Sequence, residues 1–244
     1  MVAEGSRDRI ALRALGDRAR PRSLAEERVL PVLPAMAGLV PGAGLQRGAS
    51  VATSGPCATA LALALVAGAS AGGSWIAVVG ASSLGLLAAA ELGVCQERMV
   101  LIGAPEPSAW GTVVAALLDA FDVVMVSPEH RVRPADQRRL QARCRERGAV
   151  LVLAGGRPDA WPELPELRLT VTAQTWRGLG RGHGHLQARR ATVEITGRRQ
   201  AARARQVELW LPGPDGRVAA AVASSTSRIP QPVPASTVPL REVG

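Results

Sequence analysis

Apolar residues fall into short, regularly placed blocks from residue 49 onward. Runs without alternation occupy 75–79, 99–102, 123–126 and 150–153, the signature of strands covered on both faces. A shorter block, 50–54, precedes a Gly55-Pro56 turn. Between the blocks, helical spacing recurs over 59–69, 84–92, 110–119 and 135–147, with Gly93 and Gly148 just past two of these segments, where a left-handed residue commonly ends a helix. Strands alternating with helices predict β-α-β crossovers and a mainly parallel sheet. Beyond Gly155-Gly156 the period changes to two. Polar and apolar residues alternate in Thr192-Val193-Glu194-Ile195 and Glu208-Leu209-Trp210-Leu211, so 167–172, 186–195 and 207–211 are predicted antiparallel strands extending the sheet at one edge. Between the first two, the glycine-rich stretch 177–184 is predicted to be a flexible basic loop. The fold class is therefore α/β, a mainly parallel sheet flanked by helices, with C-terminal antiparallel strands.

The ends of the chain follow neither pattern. Residues 1–23 are mixed in charge and carry six arginines between Arg7 and Arg22, which reads as a basic arm or a loose helix. Residues 24–39 have partly helical spacing interrupted by Pro31 and Pro34, and 41–44 form a turn. After Pro212 the chain is rich in Pro, Ser and Val, and disorder is expected there. The expected organisation is an arm over 1–23, an α/β domain over 24–212 and a tail over 213–244. The tail segment Ile229-Pro230-Gln231-Pro232-Val233-Pro234 suits a spacer, an extended docking peptide or a segment with no role.

Composition narrows the function. Apolar residues make up 47% of the chain, enough for a core, but Phe121 is the sole phenylalanine and tyrosine is missing. Ala, Val and Leu must carry the packing. The formal net charge is +9, and all 29 basic residues are arginine. A basic surface favours nucleic acid; a GC-rich coding bias gives the same composition, which lowers the weight of each arginine. Cys57, Cys95 and Cys144 are scattered, as in a reducing compartment, and His130, His183 and His185 have no partner at ligand spacing. No metal site is expected. The charged N-terminus lacks the apolar core of a leader, and the Ala- and Gly-dominated stretch 58–71 is short for a bilayer. A cytoplasmic protein, nucleoid-associated or not, without membrane contact is expected.

Several segments resemble one family in order and spacing. Leu39-Val40-Pro41-Gly42-Ala43-Gly44-Leu45-Gln46-Arg47-Gly48, leading into Ser50-Val51-Ala52-Thr53-Ser54-Gly55-Pro56, resembles the approach of RecA recombinases to their first core strand and phosphate loop. Ala88-Ala89-Ala90-Glu91-Leu92-Gly93-Val94 and Met99-Val100-Leu101-Ile102 resemble the RecA second helix and third strand. Asp119-Ala120-Phe121-Asp122-Val123-Val124-Met125-Val126 resembles the segment leading to the metal-binding strand. More closely, roughly 30–215 resembles the RecA-related ImuA-type proteins of actinobacteria. The resemblance implies a RecA-like, P-loop NTPase-type fold. It also implies partnership with an ImuB-type Y-family-like polymerase homologue and an error-prone C-family polymerase in damage-induced mutagenesis.

The positions that would cleave a triphosphate are empty of the required chemistry. A working loop needs a lysine to reach the β- and γ-phosphates. The degenerate loop Ser54, Gly55, Pro56, Cys57, Ala58, Thr59 has none: counting from Gly55 puts Ala60-Leu61-Ala62 at the Gly-Lys-Ser/Thr positions, and a shortened loop puts Ala58-Thr59 there. In the shortened alignment Thr59 could still touch a metal, and amides at the helix start could hold an anion. The segment Val78-Val79-Gly80-Ala81-Ser82-Ser83 offers no carboxylate to polarise water. The strand 123–126 runs into Ser127-Pro128 where a magnesium aspartate is needed, and Asp122 lies at the wrong end. No catalytic residue and no cofactor are expected.

Candidate contacts to DNA or phosphate are Arg131 and Arg133, where the family has its first DNA loop, then Arg177, Arg181, Arg189 and Arg190 around the glycine loop. Arg198 and Arg199, with Arg203 and Arg205, form a second group. The second DNA-loop position, 155–166, is short and acidic, with Asp159, Glu163 and Glu166. Trp176 suits either base stacking or sheet packing. Arg139, Arg143 and Arg147 suit a solvated helix face. The missing ATPase residues predict a non-catalytic protein, and the resemblance implies an accessory role in translesion synthesis. The rivals are a divergent ATP- and DNA-binding RecA-family enzyme and a damage-induced division inhibitor related to RecA.

Overall fold

Strand β3 (Ser50–Ser54) is the pivot of a nine-stranded sheet. The computed structural model describes residues 28–155, 160–161, 163–179, 183–198 and 204–221. The expected arm over 1–23, most of the expected tail, and Arg181, Arg199 and Arg203 lie outside the described residues. The other strands are β1 (Val29–Pro31), β2 (Gly44–Gln46), β4 (Ile76–Val79), β5 (Met99–Ile102), β6 (Val123–Val126), β7 (Val150–Ala154), β8 (Leu167–Leu179), β9 (Gly184–Gly197), β10 (Arg205–Trp210) and β11 (Ala219–Ala220). Across the large sheet the order is β11-β10-β9-β8-β3-β7-β6-β4-β5. From β8 to β5 every neighbouring pair is parallel, while β9, β10 and β11 are added antiparallel. β1 and β2 pair separately as a small antiparallel ribbon.

The helices are α1 (Ala58–Ala71), α2 (Leu86–Glu91), α3 (Pro107–Ala120) and α4 (Pro134–Arg147). One core joins α1, the 3-10 turn Pro34–Leu39 and one face of the sheet; the other joins α3 and α4 to its opposite face over β4, β6 and β7. Helix α1 has no polar stripe because Leu61 to Ala67 are buried all round, as expected of a helix enclosed by protein. A Cβ at Gly68 would lie 2.4 Å from the Val32 carbonyl carbon, so only glycine lets the chain pass so close to α1. Helix α4 buries Gln137, Leu140 and Cys144, a three-and-four spacing that makes one face. Arg143 and Arg147 are not merely solvated. Their Nε atoms lie 2.6 Å and 3.1 Å from Asp119 Oδ1 at the end of α3, and Arg139 donates to the Gly111 carbonyl at 3.1 Å. The helix face read as solvated thus clamps α4 to α3.

Most predicted elements are present, with five differences. Helices α3 and α4 begin earlier than their apolar spacing suggests because Pro107 and Pro134 occupy first-turn positions, where a missing N–H costs nothing. The segment read as partly helical, 24–39, contains β1, whose partner β2 was hidden in a glycine-rich turn. The first of the three supposed antiparallel strands, β8, runs parallel to β3 and is antiparallel only to β9. Strands β8 and β9 also run well into the expected glycine loop: Arg177 pairs with Ala188 and Leu179 with Gly184, with register shifts marking two irregularities. Backbone pairing overrides the glycine signal there. Finally, the folded part continues past Pro212, since Gly213 donates to the Arg217 carbonyl at 2.7 Å and Ala219 pairs with Trp210. Disorder was expected from 213, but 213–221 is a turn and a short strand. No helix among the described residues is long and apolar enough to cross a membrane.

Candidate functional site

The carboxyl ends of β4 and β6 and the start of α1 open into a cleft of about 740 Å³, lined by Thr59, the Gly80–Gly85 loop, Ser127, Pro128 and Glu129. In open α/β sheets this is where ligands are held, at the point where the strand order reverses. The turn from β3 into α1 is built from left-handed backbone: Gly55 has φ of 84° and Cys57 has φ of 57°. Cys57 precedes α1 without a side-chain capping bond. A Cβ on Gly55 would stand 2.2 Å from the Val171 carbonyl oxygen. The turn is pressed onto β8, which leaves a structural reason for glycine that owes nothing to phosphate.

The hydroxyls around the turn are mostly committed. Thr53 is buried and donates to the Ala58 carbonyl at 3.0 Å, with the Leu153 carbonyl at 3.3 Å. Ser54 and Thr170 share a hydrogen bond of 2.9 Å. Thr59 is exposed and faces the cleft. Burial pushes the Cys57 thiol above its ordinary range, partly opposed by the Arg189 charge; burial likewise lowers Arg189. That guanidinium is also occupied, donating to the Leu211 carbonyl at 2.6 Å and lying 4.9 Å from the Trp176 ring centre.

Among the described residues, Glu129 is the one ionisable side chain lining this cleft, and no arginine lines it. Where a magnesium carboxylate would stand, Ser127 donates to the Ala154 carbonyl at 2.8 Å and ties the ends of β6 and β7 together. Asp122 sits at the opposite end of β6. It pairs with Arg47 at 3.1 Å and accepts the Trp75 amide at 3.1 Å, so its work is to fasten strand starts. Among the described residues no group of three or more His, Cys, Asp and Glu side chains is placed to hold a metal.

The two loops at the expected DNA-contact positions are laced to each other and to α4. Val132 is buried, and its amide donates to the Ala160 carbonyl at 2.9 Å. Glu163 donates its amide to Gln137 Oε1 at 3.2 Å and its carboxylate lies 3.7 Å from Arg138. His130 meets Trp110 edge-on at 5.5 Å between ring centres. Arg131 and Arg133 remain exposed on this tethered segment.

The remaining arginine candidates among the described residues do not form one patch. Arg177 lies over the Trp210 ring at 4.7 Å, Arg189 over Trp176, and Arg190 is paired with Glu208. Arg198 is at the far end of β9, beyond Gly197. Trp176 has one ring face covered by Arg189, its direct cross-strand partner, which favours packing over base stacking. Sequence reading missed these arginine–tryptophan stacks. The available signal was the placement of Trp176 and Arg189 on either side of the glycine turn, which a hairpin register would bring opposite.

The fold and cleft define an α/β domain whose strand–turn–helix unit opens onto a hydroxyl-rich cleft, with Glu129 on its wall, at the carboxyl edge of a mainly parallel sheet. The chain belongs to the MT3502 N-terminal domain family, whose model matches residues 38–163. The uncharacterized protein Rv3395c of Mycobacterium tuberculosis is 38% identical over 101 residues, covering 41% of this chain and 48% of the relative. The match thus spans about half the length of that relative. Strands β8 to β11 lie beyond the family match.

Proposed function

We propose that this protein is a RecA-like domain of the ImuA type that has lost ATP chemistry and serves as a non-catalytic accessory protein in damage-induced translesion synthesis. In this reading it is an adaptor for an ImuB-type Y-family-like protein and, through it, an error-prone C-family polymerase. One observation carries the loss of chemistry: among the described residues, the cleft beside the phosphate-loop turn is lined by a single carboxylate and no basic side chain. A triphosphate and its transition state need their charge neutralised by preorganised cations or donors. Glu129 has the wrong sign for that, and Ser127 is spent holding two strands. The tethering of both expected DNA loops favours an adaptor over a filament-forming recombinase. The parallel sheet with an antiparallel extension agrees with the resemblance.

The test has two arms. Calorimetric titration with Mg-ATP, with and without single-stranded DNA, is expected to give no binding heat and no phosphate release. Saturable binding with DNA-stimulated phosphate release overturns the non-catalytic reading. Co-expression with an ImuB-type partner is expected to yield a co-purifying complex; a clean failure to co-purify in both tag orientations removes the adaptor role.

A further inference from the structure

The opposite end of the sheet has the chemistry that the cleft lacks. Beside the amino ends of β3 and β8, a groove of about 550 Å³ is walled by β2 and the last turn of α4. Its floor is apolar, with Val40, Leu45, Val51 and Leu167 each buried. Its rim carries Arg145 and Arg198, with Glu166 as the one acid. Both arginines are exposed, and neither forms an ion pair among the described residues. The rim is held by main-chain bonds: the Glu166 amide donates to the Ser50 carbonyl at 3.0 Å and the Arg198 amide to the Glu166 carbonyl at 2.9 Å.

We propose that this groove docks a partner segment that presents an apolar side chain flanked by carboxylates. The groove has the size and the apolar lining with a few placed polar groups that a binding site needs. Guanidinium forks pair with carboxylates bidentately and give orientation. The floor supplies the buried anchor that dominates such contacts. A nucleic-acid backbone gains nothing from an apolar floor, so an acidic-apolar peptide is the better match. The groove is at the other end of the strands from the Gly55 turn, and the inference holds whichever way the nucleotide experiment turns out.

The probe is a fluorescein-labelled short peptide alternating leucine and glutamate, followed by fluorescence polarisation at fixed ionic strength. Saturable binding is expected. The double variant Arg145→Gln/Arg198→Gln is expected to weaken it at least about tenfold, the scale of losing two charge-assisted contacts. Glu166→Gln is expected to tighten it, and Arg131→Gln, a control at the other end of the sheet, to leave it unchanged. A peptide with serine for leucine is expected to lose binding. The proposal is overturned by no saturable binding, by equal binding of a leucine–lysine peptide, by a smaller loss in the double variant, or by an equal loss in the Arg131 control. Far-UV circular dichroism of each variant separates loss of docking from loss of fold, and both arginines are surface groups whose replacement leaves the core intact.

Discussion

Replacing Gly55 with alanine separates two meanings of the same turn. If glycine is there to bring backbone amides to a phosphate, the variant loses ligand and keeps its stability. If it is there because β8 passes too close for a side chain, the variant loses stability. The structure favours the second. A left-handed φ of 84° costs an alanine about 1–2 kcal/mol. The added carbon would then overlap the Val171 oxygen, at 2.2 Å, and relief requires β8 to retreat from β3, an overpacking cost of about 1–3 kcal/mol. The expected total is about 3 kcal/mol, which in a domain of this size lowers Tm by roughly 6–12 °C. Gly42→Ala is the matched control: its φ is 69° but nothing lies within 4 Å of the added carbon, so it should cost only about 1 kcal/mol. Urea and thermal unfolding followed by circular dichroism measure both. Equal losses in the two variants would refute the reasoning, because they would leave no contribution from the contact with β8.

Asp119→Asn should lower stability at neutral pH, because Arg143 first and Arg147 second hold this carboxyl below its usual range. A depressed folded-state value gives stability above the unfolded value that is lost as pH falls through the folded one. The difference in Tm between wild type and variant should therefore be steady from about pH 6 to 8 and shrink below about pH 4. Asp122→Ala removes the partner of Arg47 and of the Trp75 amide, and should cost about 1–2 kcal/mol in urea unfolding, limited by partial exposure of the pair. Cys144 is buried with its thiol pushed up to about 12; thiol titration with an aromatic disulfide at pH 8 should leave it unmodified in the native protein and modify it once urea is added.

The α/β half was legible because its signals are local. Runs such as Val123–Val126 are continuous and fully buried, and Gly148 ends α4 in a left-handed conformation, where the spacing placed it. The missed parts depend on contacts between distant segments. Nothing near residue 167 says that β8 will lie parallel to β3, because the choice is made by the open edge of β3 and not by the alternation within β8. The arginines of β9 read as a phosphate-binding cluster because their charges are adjacent in sequence, while the register with β8 and β10 turns each toward a tryptophan or a carboxylate. That the 54–59 loop has no lysine and the end of strand 123–126 no aspartate was plain in the sequence. That Ser127 would be enlisted to join β6 to β7 was not.

Because β8 completes one side of β3, the segment recognised by the family model is not a unit that can be excised. Cutting the chain after residue 163 would strip β3 of one neighbour and leave its row of amides and carbonyls open beside apolar side chains that had been covered by Leu167, Leu169 and Val171. Such a margin invites other chains to pair with it, so the shortened protein should collect in inclusion bodies even though every helix around its cleft is retained.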